Sequence, residues 1–355
     1  LRLALFVSHN KAFVQRSLLI CTNRITTHIL LEHKRCLMDL LSDILSQLKL
    51  TGTLYFRTSF TSPWSIQVPA FKHVSRFHFA HRGHCLVRVQ ADKDPVLLEQ
   101  GDLIIITKGV EHTLFCDLTT EKQALQLEQV LEESGFTGEG TLVYGELGSN
   151  SETQLICGHF AFDQYAQHPI IDLLPPFIHI KNYGEESGNW MENTLKVIGA
   201  EAGKKNMGSD LIALKLSEII YTQVMRTYLA SEAAKEQGLA GFSDPAITRA
   251  LKSIHETPAH PWTLEELSAV AGLSRTSLST RFSQCLSTTP YGYITQWRMQ
   301  IARQRLVNSN APIIDIAETV GYQSEAAFGR IFKKHFDIAP ATYRREQKNI
   351  LEATM

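Results

Sequence analysis

The sequence withholds several of the signals that settle a function quickly. None of its six cysteines (Cys21, Cys36, Cys85, Cys116, Cys157 and Cys285) stands in a Cys-x-x-Cys pair, so neither a zinc finger nor a thioredoxin-like site is suggested. A chain of 355 residues has no need of disulfides, and scattered thiols read as those of a protein in a reducing cytoplasm. No apolar run approaches the ~20 residues that span a bilayer, so no membrane partner is expected. Net charge is nearly absent as well, with 35 Lys/Arg against 36 Asp/Glu. That balance conceals an asymmetry. From Ala271 to Lys348 there are 11 Lys/Arg and 5 Asp/Glu, a local charge of +6 in a chain whose total is −1. A basic segment in a neutral chain suits a nucleic-acid module attached to something else.

The length suggests two domains. Residues 1–37 mix apolar and basic residues without a period and carry no small-residue cleavage site, so they read as a non-native or disordered leader. An amphipathic helix is expected from Met38 onward, in MDLLSDILSQLKL, and Met38 is expected to be the natural start. The stretches TLYFRTSF, SIQVPA, RFHFAHRGHCLVRVQ and DLIIIT are β-rich and separated by Gly, Pro and Asp turns. TLVYGEL and TQLICGHFAF return to that pattern. Short strands at this spacing predict a barrel or sandwich over residues 38–182. From about Asn189 the apolar period turns helical, and residues 183–242 form a helical linker region. In it Leu211, Leu214, Ile219 and Val224 make a stripe widened by Leu216, Ile220 and Tyr221. Packing within the subunit and a homodimer contact both fit that stripe. Gln237–Ser243 is the expected linker.

The last hundred or so residues carry one pattern twice. Thr263 caps a helix and Glu266, three residues on, completes a capping box. Leu264, Leu267 and Val270 form its inward stripe. Gly272 supplies the backbone freedom of a tight turn, Ser274 caps the next helix, and Leu278 and Phe282 face inward. The second copy has Pro312 at a helix start, Ile313, Ile316 and Ala317 inward, a turn at Val320–Gln323, a cap at Ser324, and Phe328 and Phe332 inward. Between the copies Ile294, Trp297, Ile301 and Leu306 lie at helical spacing, which predicts a long, stiff connector. Two helix-turn-helix units held this way can enter successive major grooves of double-stranded DNA, roughly 34 Å apart. The expected architecture is α+β and multidomain: an N-terminal β-barrel with a helical appendage, and a C-terminal all-α domain over 243–348 with two helix-turn-helix motifs.

The second copy also carries the densest family likeness. Ile313, Ile316, Ala317, Gly321, Tyr322, Ser324, Phe328, Arg330, Phe332, Lys333, Pro340, Tyr343 and Arg344 resemble the signature of the AraC/XylS regulators. Asp337 stands where that family usually has Gly, and Ala339 where it often has Thr. The resemblance implies a sequence-specific transcription regulator, with RNA polymerase as a partner if it activates. Carried over by position, it implies base contacts from Thr276, Ser279 and Thr280, and a phosphate contact from Arg281. The matching positions of the second unit are Glu325, Ala326, Gly329 and Arg330, with Lys333 and Lys334 beside them. Arg330 suits guanine or a phosphate, and Ala326 and Gly329 have little to read with.

GDLIIITKGVEH resembles the second cupin motif, with Thr107 where proline is usual. The stretch Met38–Asn182 is similar to the cupin-type sensor domains that precede AraC-type DNA-binding domains. Two readings of its chemistry stay open. His78, His112, Cys157 and His159 converge on a divalent metal such as zinc or iron, or they are core and rim residues of a barrel that takes an organic effector or nothing. The resemblance also implies a redox switch among Cys85, Cys116 and Cys157, against the simpler reading of buried thiols as small hydrophobes. The alternative to a regulator that senses a small molecule or stress is a cupin-type metalloenzyme fused to a DNA-binding domain. The first cupin motif, with its ligand pair and Glu, is not reproduced, which counts against the enzyme.

Overall fold

The computed structural model describes residues 39–354 apart from 49, 91–92, 139, 146–150, 166–167, 182–192, 195–196, 198–200, 202–205, 237–238 and 240–243. The expected leader, much of the stretch from Asn189 to Lys205, most of the expected linker, and the domain boundaries near 182 and 242 lie outside those residues.

The expected first helix is α1 (Leu40–Leu48), with Ile44 and Leu48 buried. Eleven strands follow: β1 (Leu50–Thr61), β2 (Ser65–Val68), β3 (Val74–Arg82), β4 (Cys85–Arg88), β5 (Val96–Leu98), β6 (Leu103–Ile106), β7 (His112–Phe115), β8 (Leu125–Gln126), β9 (Thr141–Gly145), β10 (Glu152–Phe162) and β11 (Phe177–Ile180). They form two sheets, ordered β11-β6-β3-β10-β1-β9 and β5-β4-β7-β2-β8. Between β7 and β9 lie a 3₁₀ turn, β8, and α2 (Leu127–Ser134), which ends on left-handed Gly135. After β10, α3 (Pro169–Leu173) leads into β11.

The strands alternate because both faces of the larger sheet are covered. Along β10, Leu155 and Cys157 enter the space between the sheets with Phe60, Trp64 and Ile104. Ile156 and Phe160 point the other way, into a core shared with α4 (Ser209–Leu229). The stripe on α4 is not the one the spacing predicted. Its buried face is Ser217, Ile220, Tyr221, Val224, Met225 and Tyr228, while Leu211 and Ile219 are exposed. Tyr221 decides the rotation by packing edge-on against Phe160 and Phe162 of β10.

After the short α5 (Glu232–Glu236), the C-terminal region is helical: α6 (Pro245–Glu256), α7 (Leu264–Ala271), α8 (Arg275–Leu286), α9 (Pro290–Asn308), α10 (Ile313–Thr319), α11 (Glu325–Phe336) and α12 (Pro340–Thr354). Both halves of the Thr263–Glu266 capping box form. Val270, expected inward, is exposed, and Ser268 and Ala271 fill that place beside Leu267.

The two units repeat at an offset of fifty residues. Leu278, Phe282 and Leu286 match Phe328, Phe332 and Phe336, all buried. Ser287 and Asp337 both end their helices in the left-handed region. Asp337 thus tolerates the place where glycine is usual because an aspartate's short polar side chain is at home there. The turn glycines, Gly272 and Gly321, are only forty-nine apart, so the second turn holds one residue more. Each lies under an arginine from the preceding long helix. Arg249 of α6 donates to the carbonyls of Val270 and Ala271, capping α7. Arg298 of α9 donates to Pro258 and His260, and its guanidinium lies over the Tyr322 ring.

That packing separates the two glycines in what they tolerate. A Cβ at Gly321 (φ +86°) would stand 2.7 Å from the Ala259 carbonyl and 2.9 Å from the Arg298 guanidinium, whereas at Gly272 (φ +69°) the nearest atom is 3.5 Å away. Gly272→Ala is expected to cost about 1 kcal/mol from backbone strain alone. Gly321→Ala is expected to cost roughly 2–3 kcal/mol, because the strain and the displacement of Arg298 add. Chemical denaturation of both variants checks the order; equal losses would mean that the Arg298 packing is soft.

Candidate nucleic-acid interface

Each recognition helix begins the same way. The Ser274 hydroxyl accepts the amide of Ser277, and the Ser324 hydroxyl accepts that of Ala327. Each cap leaves a helix N-terminus facing outward, where free amides and the dipole favour an anion. One side of each helix is sealed by Leu278 and Phe282, or by Phe328 and Phe332. The other side is therefore the face open to a groove.

Most of the expected contact residues lie on that face. Thr276 and Thr280 are exposed and Ser279 is half-buried. In α11 Glu325, Ala326, Arg330, Lys333 and Lys334 are exposed and Gly329 is half-buried. Arg281, expected to favour phosphate, has a partner within the protein. It forms an ion pair with Asp244, whose other carboxylate oxygen caps α6 by accepting the amides of Ala246 and Ile247. Arg275, the first residue of α8, is exposed on the same helix and was not among the expected contacts. Its place directly after the Ser274 cap was the available signal.

The spacing of the helices is set by α9, which belongs to two cores at once. Tyr293, Ile294 and Trp297 pack with α6, α7 and α8, while Met299, Ala302 and Leu306 pack with α10 and α11. Arg298 lies between the two sets and ties the loop before α7 to the second turn. The strand-rich N-terminal region grips the same helix. Arg303, 3% exposed, pairs with Asp163 at 2.6 Å and donates to the Gln47 carbonyl. Gln300 donates to the Tyr165 carbonyl, and the Tyr165 ring meets Phe336 and Tyr343 edge-on.

Inside the barrel, His78 and Cys157 are cross-strand partners on β3 and β10, and His112 comes from β7. His112 Nδ1 lies 3.0 Å from the Val110 carbonyl and must donate to it. Its Nε2 then accepts from His78 Nε2 at 2.8 Å, and His78 Nδ1 accepts the Cys157 thiol at 3.1 Å. Burial lowers both imidazoles, His112 to about 4 and His78 well below its usual range. Burial likewise pushes the Cys85 thiol up to about 12 and raises Cys157. The four residues expected to converge on a metal therefore do not share one point. Cys157 and His112 occupy opposite edges of the His78 ring, and His159 is further along β10, opposite Arg76. Among the described residues no three His, Cys, Asp or Glu side chains are grouped to hold a metal ion. Among them, too, no helix is long and apolar enough to cross a membrane.

Known proteins resemble the chain in both halves. Residues 39–230 match the family described as Cupin, and residues 267–346 that described as Helix-turn-helix domain. An AraC-like transcription regulator of Streptomyces antibioticus is 31% identical over 87% of this chain and 99% of that protein. The HTH-type transcriptional regulator AlkR of Acinetobacter baylyi is 27% identical over 87% of this chain and all of that protein. Among solved structures, the C-terminal domain of AraT, a response regulator from Geobacillus stearothermophilus, is 32% identical, covering 29% of this chain and 85% of that one, with a TM-score of 0.28.

Three measurements follow from the geometry. Replacing Lys333 or Lys334 by Ala should each lower the salt dependence of DNA binding by about 0.9 in log–log slope, as expected of a phosphate contact. Arg281→Ala should leave the slope nearly unchanged and cost up to about 1 kcal/mol of stability, the worth of a partly exposed ion pair. Cys85 should resist alkylation in the native protein up to pH 10, because its raised pKa leaves almost no thiolate; rapid labelling at neutral pH would overturn the buried-thiol reading.

Proposed function

Because the chain belongs to the AraC family of transcription regulators, with a cupin domain ahead of its helix-turn-helix domain, we propose that it recognises a particular operator with α8 and α11 and answers a small molecule or stress signal through the barrel. The observation that carries this reading is the shared helix α9. It holds two capped recognition helices in one fixed relation and is itself held by the sensor side. A signal in the barrel domain thus has a path to both DNA-contacting faces.

In this reading Thr276, Ser279 and Thr280 read base edges from α8, and Arg275 joins them. Arg330 is the reader on α11, with Lys333 and Lys334 on phosphates. Ala326 and Gly329 offer no polar group, so the second half-site is the less discriminating one. A concavity of about 360 Å³ between α1 and α4 suits a small effector. Leu45, Leu48, Phe162 and Tyr221 give it apolar walls, and Glu218 and Thr222 a polar rim. Its α1 wall also meets α9, through the Ser46 and Gln47 carbonyls. The exposed Leu211, Ile212 and Ile219 on α4 suit contact with a second copy of the chain. RNA polymerase is a further partner if the protein activates. We take the barrel as a sensor and not an enzyme, because the free lone pair of His78 accepts from the Cys157 thiol and that of His112 accepts from His78.

Mapping of bound sites in the native host identifies the operator. On that operator, at fixed salt, Arg330→Ala and Thr280→Ala should each reduce discrimination against a mismatched site by about 1–3 kcal/mol while affecting non-specific binding less. Equal loss on every sequence would assign these side chains to phosphate and sink the base-reading role.

A further inference from the structure

Two imidazoles and one phenol bridge the sensor and the first helix-turn-helix unit. His168 caps α3 on the sensor side, and its Nδ1 accepts the Ile170 amide at 3.1 Å. A neutral His168 therefore carries its proton on Nε2, 3.0 Å from the Tyr293 hydroxyl of α9. That hydroxyl accepts from His168 and must donate onward, to His255 Nε2 of α6 at 2.7 Å. His255 then carries its proton on Nδ1, which faces the Asp43 carboxylate of α1 at 3.5 Å, an ion-pair distance. The chain thus starts and ends on the sensor side and passes through the DNA-binding domain between. Each link fixes the tautomer of the next. His255 also stacks on Trp297 at 3.7 Å, and all three ring groups are buried.

We propose that this relay is an acid-sensitive latch, which holds the first helix-turn-helix unit against the sensor domain at neutral pH and releases it as the pH falls below the ordinary histidine range. A proton added to His168 Nδ1 sets a donor against the Ile170 amide. A proton added to His255 Nε2 removes the acceptor of the Tyr293 hydroxyl, leaving that hydrogen buried and unmatched. Two such protons also place two cations on either side of one phenol. Asp43 acts on His255 and favours its charged form, while His255, once charged, opposes a charge on His168. Burial outweighs Asp43: both imidazoles are held below their usual range, His168 the further.

The sign follows. Groups whose docked pKa is depressed favour docking above the free value near 6.5, and that contribution is lost as the pH falls toward the docked value. Each imidazole shifts the docking equilibrium by up to about tenfold per pH unit in that window. The two together give up to about a hundredfold between pH 7.5 and 5.5. The Arg303–Asp163 pair further along α9 keeps its arginine charged throughout, so the release acts at the first unit's end of the helix.

The test is amide hydrogen exchange on the full chain, corrected for intrinsic rates, from pH 7.5 to 5.5. Protection in α1, α3 and α6 is expected to fall by up to about a hundredfold. In the His168→Gln/His255→Gln double variant, which leaves the barrel histidines intact, protection in these helices is expected to be flat with pH. Tyr293→Phe, which keeps the ring and loses only the hydroxyl, is expected to show lowered protection in α3 and α6 already at pH 7.5. A wild type whose protection does not change, an equal fall in the double variant, or a Tyr293→Phe protein protected like wild type at pH 7.5 overturns the latch.

Discussion

The structure depends on a helix with no free side. An ordinary surface helix buries one stripe and shows water the rest. The helix α9 buries Tyr293, Ile294 and Trp297 toward the first unit, Met299, Ala302 and Leu306 toward the second, and Gln300 and Arg303 toward the sensor side. Close packing in such a place leaves little room for adjustment. The polar residues on α9 are accordingly satisfied by fixed partners: Arg298 by two carbonyls, Arg303 by Asp163 and the Gln47 carbonyl. Once α9 is set, the directions of α8 and α11 are set too.

The same constraint explains what sequence reading could and could not reach. Caps, turn glycines and inward apolar residues are local, so both units were legible from Thr263, Gly272, Ser274, Gly321 and Ser324 alone. The sheet pattern was legible where strands were long and alternating, as in β3 and β10. It was lost in β5 and β8, which are too short to display a period, and in the four-residue β7 and β11. Long-range pairing was not legible at all. Nothing local to Arg281 tells of Asp244, thirty-seven residues away, and so its part as a structural tie could not be read beside the phosphate role expected of it. The stripe on α4 failed for a related reason. Its apolar residues run round most of the helix, and only the rings of β10 decide which of them turn inward.

The barrel histidines teach a different lesson. Residue types capable of holding a metal did come together, but the order of atoms around His78 matters more than the residue list. A ring that has a thiol at one nitrogen and a second imidazole at the other is a bridge in a hydrogen-bond chain. Its neighbours use the lone pairs that a metal would need. The buried thiols fit the same picture, since a protonated sulfur in an apolar space is a packing element before it is a reagent.

The shared helix also has a genetic meaning. In the proposed reading, a change in α8 alters the reading of one half-site, and a matching change in that half of the operator can restore it; the same holds for α11 and the other half. A change in α9 moves both readers at once, and no single base-pair change compensates for it. In a search for second-site suppressors, lesions in α9 should be answered inside the protein, at Asp163, Tyr165 or the Pro258–His260 loop, and not in the DNA. The residues that never touch a base would then be the ones that evolve most slowly with respect to the operator.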